Sequence, residues 1–279
     1  MRTAFPASIV LLLSVIGGGA SAGVTLTMET DTGGPPRTST MLVDADRMKQ
    51  DTDHGAIIYR GDLQKFWALN DAKHSYVEMT PQSMQQMQAQ MDAVMQRMQQ
   101  QMQSMPPEQR KQIEAMMAQH GAGTPPAAAA PSPPPTIAYD KLGPDTTIGA
   151  WSCTPYRMTV NDRSHEEMCI ARQSDLGLTR DDLAVFASMS AFMQKLKMPM
   201  GGSAAAEAAA IDPAAMAKAI GFDGFPIRTT EFSPDGKQLS QTTIKAVERK
   251  TLAPGTFDLP AGYARETMSM GGRPTVVEP

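Results

Sequence analysis

The chain has 279 residues, with 25 Lys and Arg against 29 Asp and Glu, a formal charge of −4. That length admits one large domain or two small ones, and a mildly acidic balance without a basic run excludes a nucleic-acid partner. Aromatic residues make up only 5% while methionines number 23, so thioethers carry an unusual share of the apolar surface.

Arg2 supplies a positive start, Ile9 to Ile16 a short apolar core, and Ala20-Ser21-Ala22 the small-x-small pattern that a signal peptidase accepts. The apolar stretch is well short of the roughly 20 residues that span a bilayer. No cysteine follows it, which argues against a lipid-modified N-terminus. Residues 1–22 are therefore read as a cleavable signal peptide cut near Gly23. The mature chain is expected in the periplasm, or secreted, without a transmembrane helix.

From Val24 to Met79 the period is two. Val24, Leu26 and Met28 alternate with Thr25, Thr27 and Glu29, as in a half-buried strand. Gly33-Gly34-Pro35-Pro36, Asp44-Ala45-Asp46, Asp53-His54-Gly55, Gly61-Asp62 and Asn70-Asp71 punctuate an antiparallel meander. The period changes at Thr80-Pro81, a cap followed by a proline at the first helical position. Met84, Met87, Met91, Val94, Met98 and Met105 follow at three- and four-residue steps, with Met95 and Met102 widening the stripe and glutamine filling most other positions. This predicts an amphipathic helix ending at Pro106-Pro107, about 37 Å long. A shorter helix is predicted from Pro107 to Gln119.

Residues 121–135 are a Pro/Ala segment that cannot build a core. Strands resume at Thr136–Asp140. Trp151–Val160, the turn Asn161-Asp162-Arg163-Ser164 and His165–Arg172 read as a hairpin carrying Cys153 and Cys169. Folded about that turn the two cysteines approach within disulfide reach, and export makes a structural bridge the expected state. A free or catalytic thiol pair is the alternative, weakened by the absence of a Cys-x-x-Cys spacing. Thr179-Arg180-Asp181-Asp182 opens a helix with Leu183, Phe186, Met189, Met193 and Leu196 on one face. Residues 198–212 form a second low-complexity insertion, with helical character around Pro213–Ile220. Phe225–Phe232, Ser233-Pro234-Asp235-Gly236 and Lys237–Lys250 make a hairpin. Phe257-Asp258-Leu259-Pro260 and a strand near Tyr263–Met268 follow, and 271–279 reads as a flexible tail.

Segregated runs of strands and helices predict an α+β fold, a single domain over 23–270 with helices packed on one antiparallel sheet. Ile148-Gly149-Ala150-Trp151-Ser152-Cys153-Thr154-Pro155-Tyr156, Gly224-Phe225-Pro226-Ile227-Arg228 and Phe257-Asp258-Leu259-Pro260-Ala261-Gly262-Tyr263 resemble the exported bacterial family known as domain of unknown function 4412. The run Met41–Met79 is similar to that family's opening strands. The resemblance implies a fold like the periplasmic lipoprotein carriers, a curved half-barrel sheet with helices on its concave face. It brings no catalytic residues.

His165-Glu166-Glu167-Met168-Cys169 misses the helical zinc-protease motif, with cysteine where the second histidine belongs and a strand in place of a helix. His54, His74, His120 and His165 are scattered, and no phosphate loop or nucleophile elbow occurs. These observations predict no enzyme, no cofactor and no metal centre. The stripe Met84, Met87, Met91, Met95, Met98 and Met102 keeps three readings. Thioethers fill gaps in a core, form an adaptable face for an apolar ligand (a lipid or acyl chain) or an envelope protein, or bind Cu(I). Met198-Pro199-Met200 is one isolated pair.

Overall fold

The computed structural model describes residues 21–104, 136–161, 163–195, 212–233, 235–267 and 275–276. The predicted helix 107–119, the Pro/Ala segment 121–135, nearly all of the insertion 198–212 and nearly all of the predicted signal peptide lie outside them.

Strands β1 (Ser21–Asp31), β2 (Arg37–Asp44), β3 (Arg47–Thr52), β4 (Gly55–Arg60), β5 (Lys65–Asn70) and β6 (Ser75–Met79) form the expected meander. Helix α1 runs Pro81–Ser104. Then come β7 (Ile137–Lys141), β8 (Thr146–Ile148), β9 (Trp151–Val160) and β10 (Arg163–Arg172). Helices α2 (Ala184–Lys195) and α3 (Pro213–Ile220) precede β11 (Gly224–Phe232), β12 (Gln238–Leu252), β13 (Ala264–Thr267) and β14 (Thr275–Val276).

The strands join one mostly antiparallel sheet in the order β14-β13-β6-β5-β4-β3-β2-β1-β12-β11-β10-β9-β7, with β8 paired to β9. The path is open. Its exception to antiparallel pairing is β13 on β6, where Ala264 faces Ser75. β1 is the seam between the N-terminal meander and the C-terminal strands, paired to β2 on one edge and β12 on the other. Pairing of β11 with β12 stops at Arg228 opposite Thr243, while β12 continues along β1 to Leu252. The loop before α2 is tied to that continuing half of β12. Arg249 donates to Asp182 at 2.6 and 3.1 Å and to the Gly177 carbonyl at 2.9 Å.

Alternate residues of a strand point to opposite faces, and both faces here are covered. On one, Val24, Leu26, Met28, Val43, Met48 and Tyr59 cluster with Val185 and Phe192 of α2. Tyr59 is fully buried, its ring 5.5 Å from Phe192 and its hydroxyl 2.8 Å from Ser188 Oγ. On the other face, Ile58, Trp67, Leu69 and Leu252 cluster with Phe257. Further along, Tyr156, Met158, Met168 and Ile170 cluster with Met216 of α3. Met168 and Ile170 alternate with Cys169 and Ala171, which belong to the α2 side. The two helices thus join different clusters, α2 that of Val24 and Tyr59 and α3 that of Met158 and Ile170. The short, capped α3 follows Asp212, whose carboxylate accepts from Ala214 and Ala215. Its apolar Met216 and Ile220 find the even-numbered residues of β9 and β10.

The cysteine hairpin forms as expected. Cys153 and Cys169 are disulfide-bonded, with Cα atoms 5.4 Å apart. Asn161 makes the turn at φ 50°, and Cys169 stands opposite Pro155 in the ladder. The helix predicted to open at Thr179 begins at Ala184. Thr179 and Asp182 instead exchange bonds, Thr179 N–H to Asp182 Oδ2 at 2.7 Å and Asp182 N–H to Thr179 Oγ1 at 3.3 Å. That reciprocal cap closes a turn just ahead of the helix.

Candidate Met/Gln helix surface

Helix α1 starts where the sequence signals it. Thr80 Oγ1 accepts from Ser83 N–H at 3.0 Å, Ser83 Oγ accepts from Thr80 N–H at 2.9 Å, and Pro81 opens the helix. The reciprocal pair satisfies two backbone donors that would otherwise lack partners. At 24 residues the helix is about 36 Å long.

Among its described side chains, those near its start meet the core. Met84 is 7% exposed and belongs to the α2-side core, and Met87 packs partly against it. Val94, on the same stripe, is 47% exposed. Gln90, Asp92, Ala93, Gln96, Arg97, Gln100 and Gln101 are exposed around it. The first two turns thus meet the core, and Val94 further along is half exposed.

The described residues also contain a cleft of about 350 Å³ where the start of α2 meets α3, lined by Leu183, Ala184, Ala187, Ala214 and Ala217. The Arg180–Asp223 ion pair, 2.8 Å, stands at its rim. Neither cysteine is free to act as a thiol. His54 and His74 are both exposed, and His74 lies against Tyr263, ring centroids 5.7 Å apart. His120 and the side chain of His165 lie outside what is described. Among the described residues no three His, Cys, Asp or Glu side chains gather in a metal-holding group, and no helix is long and apolar enough to cross a membrane.

The three motifs noticed in the sequence spend their residues on packing. Gly149 turns from β8 into β9 at φ 59°, delivering Trp151 and Cys153 to the core. A Cβ on Gly224 would lie 2.5 Å from Ile170 Cγ2, Phe225 stacks at 6.0 Å on Phe186, and Ile227 is fully buried. Phe257 is buried under the Arg47 guanidinium, 5.1 Å from its ring centroid. Asp258 accepts from Arg60 at 2.5 Å, and Tyr263 donates to Asp71 at 2.7 Å. These last contacts latch the C-terminal segment to the meander. Arg60 also pairs with Asp62 at 2.7 Å and holds that carboxyl below the usual range.

A family model described as a domain of unknown function, DUF4412, matches residues 60–263. No curated protein matches the chain. Among solved structures, an uncharacterized conserved protein from Thermus thermophilus is similar at 7% identity and a TM-score of 0.41, over 88% of this chain and 91% of that one. MucB in complex with MucA(peri) is similar at 10% identity and a TM-score of 0.35, over 92% of this chain and 57% of that one. The Pseudomonas aeruginosa MucA/MucB complex gives the same identity and score, with 92% and 59% covered. The chain thus spans less than two thirds of each MucB chain.

Proposed function

The chain belongs to the DUF4412 family, and we propose that it is an exported, non-enzymatic binding protein that takes up an apolar helical segment of another envelope protein on its Met/Gln helix. One observation carries the reading. Helix α1 is anchored by Met84 and Met87, and Val94, farther along it, is about half exposed. A large apolar side chain on the continuing stripe of a long helix suits a partner's apolar side chains, in the helix-on-helix mode of recognition. Methionine suits such a face because its unbranched thioether adapts to differently shaped partners.

Charge selects the occupant. Over Pro81–Ser104 the charged residues are Asp92 and Arg97 alone, so the surface offers little to an anionic lipid headgroup and favours the uncharged side of an amphipathic helix. A sheltered acyl chain would instead need the stripe turned to the sheet, and Val94 weighs against that. The packing roles of the family motifs fit a scaffold for binding better than a catalytic one.

The test is a photo-crosslinking residue placed at Val94 in the chain expressed in its own host, with Leu239 (52% exposed) as the control site. A protein adduct of defined mass at position 94, absent at position 239, is expected. A lipid adduct, or none, would overturn the reading. Val94→Gln should abolish the partner's co-purification while shifting stability by less than about 0.5 kcal/mol. Met84→Ala, inside the core, should cost about 2–5 kcal/mol.

A further inference from the structure

We propose that the cleft between α2 and α3 captures the C-terminal end of a peptide chain. Arg172 and Arg180 hold its carboxylate, Gln173 accepts from its last amide N–H, and its last side chain, an apolar one, enters between the helices. The site is separate from helix α1 and does not depend on the partner proposed there.

Small side chains make the space. Ala184 and Ala187 stand three residues apart on α2, and Ala214 and Ala217 likewise on α3, so each helix turns one alanine pair toward a cleft of about 350 Å³. Leu183, 3% exposed, adds an apolar wall. That volume lies at the small end of ligand sites, about 300–1,000 Å³, and gives room for one branched or aromatic side chain. A second hollow of about 280 Å³ adjoins it, lined by Arg172, Ser174 and Leu178. The two share Gln173, Arg180 and Asp223. An apolar compartment thus opens beside a polar one.

Gln173 is the residue that points to a ligand. It is 5% exposed, and most of its polar groups are met within the fold. Its N–H donates to the Asp223 carbonyl at 3.1 Å, its carbonyl accepts from Leu178 N–H at 3.0 Å, and its Nε2 donates to the Gly224 carbonyl at 3.1 Å. Because that carbonyl can only accept, the side-chain amide is fixed with Oε1 as its remaining acceptor. Among the described residues no hydrogen bond reaches Oε1. Gln173 lines both hollows, so the donor for Oε1 comes from outside the fold.

Charge defines the rest. Arg172 lies over the Phe222 ring, 5.0 Å from its centroid, and forms no ion pair among the described residues. Arg180 pairs with Asp223 through two bonds, at 2.8 and 3.2 Å. Two guanidiniums against one carboxylate leave one positive charge, which suits a single anionic group held by charge-assisted bonds. A fatty acid would fill the apolar compartment, but its ionised head only accepts and leaves Oε1 unmet. The last residue of a peptide carries a donor N–H, a side chain and a carboxylate on one carbon, and capture of such ends is a known mode of recognition. It meets all three features at once.

The full-length chain can be titrated with fluorescein-labelled Gly-Gly-Leu and Gly-Gly-Phe bearing free carboxylates, read by fluorescence anisotropy. Saturable binding of at least one is expected. Amidating its C-terminus, or N-methylating its last amide, should each weaken binding at least about tenfold, the loss of one hydrogen bond to a charged or buried group. Ala187 is exposed on its helix, so Ala187→Leu should fill the cleft and weaken binding as much while keeping the thermal transition of the parent. Dodecanoate at equal concentration should not displace the peptide. No saturable binding of either peptide would overturn the proposal. So would an amidated or N-methylated peptide bound as tightly as its parent, displacement by dodecanoate, or unchanged binding to folded Ala187→Leu.

Discussion

Gly23 and Glu78 show how single positions hold this sheet. At Gly23 one obstacle is a backbone oxygen, that of Val43, which cannot rotate away. Gly23→Val should therefore destabilise the protein by about 1–3 kcal/mol, as overpacked cores do, read as a lower urea midpoint at unchanged slope. Glu78 is a pH-dependent clasp. Burial alone would raise its carboxyl, but the Trp67 indole at 2.9 Å, Lys65 at 3.2 Å and Arg265 at 3.1 Å outweigh that and hold it below the usual range. Its folded pKa lies below the unfolded value, so its contribution is complete above about pH 4.3 and is lost as pH falls through the lowered value. Urea midpoints should drop between pH 5 and pH 3, about the span over which such carboxylates protonate. Glu78→Gln should flatten part of that drop, and an unchanged slope would remove the clasp.

Among the elements, the cysteine hairpin and helix α1 differ in how far their own residues specify them. The hairpin is local. A turn at Asn161 and a separation of 16 residues suffice to bring Cys153 and Cys169 together. Replacing both with alanine should cost about 3 kcal/mol by the chain-entropy estimate for a loop of this length, measured by guanidinium denaturation. An unchanged midpoint would mean the hairpin is held by its ladder alone. The helix is local in its start, where Thr80, Pro81 and Ser83 set the cap, and in its period. Its burial is not local. The same three- and four-residue spacing carries Met84 into the core and leaves Val94 outside, because period describes a stripe and not what lies beside it.

The whole molecule depends on its first strand. β1 contributes Val24, Leu26 and Met28 to the core and is the junction of the sheet's two halves. A chain starting at Gly23 should fold with a cooperative thermal transition by circular dichroism. A chain starting at Glu29 should show none, since the seam and three buried side chains are gone. A cooperative transition in the shorter chain would mean that the halves fold independently.

Much of this architecture was legible in linear sequence. Alternation from Val24 to Met79 announced the meander, Thr80-Pro81 the helix start, and two cysteines flanking a turn the bridge, because each depends on neighbours within a few residues. The motifs around Trp151, Gly224 and Phe257 identified the family. Distant partners decided the remainder. That α2 and α3 join different clusters follows from which residues of β10 each meets, Cys169 and Ala171 or Met168 and Ile170. That Phe257 and Asp258 are caught by Arg47 and Arg60 joins residues about two hundred positions apart. Val94 was read into one stripe with Met84, and only the extent of the folded core leaves it half exposed. Hydrogen-bonding pattern and hydrophobic period act over short stretches and so are written in the sequence. Which surfaces meet is set by how the sheet packs, and that only the tertiary structure decided.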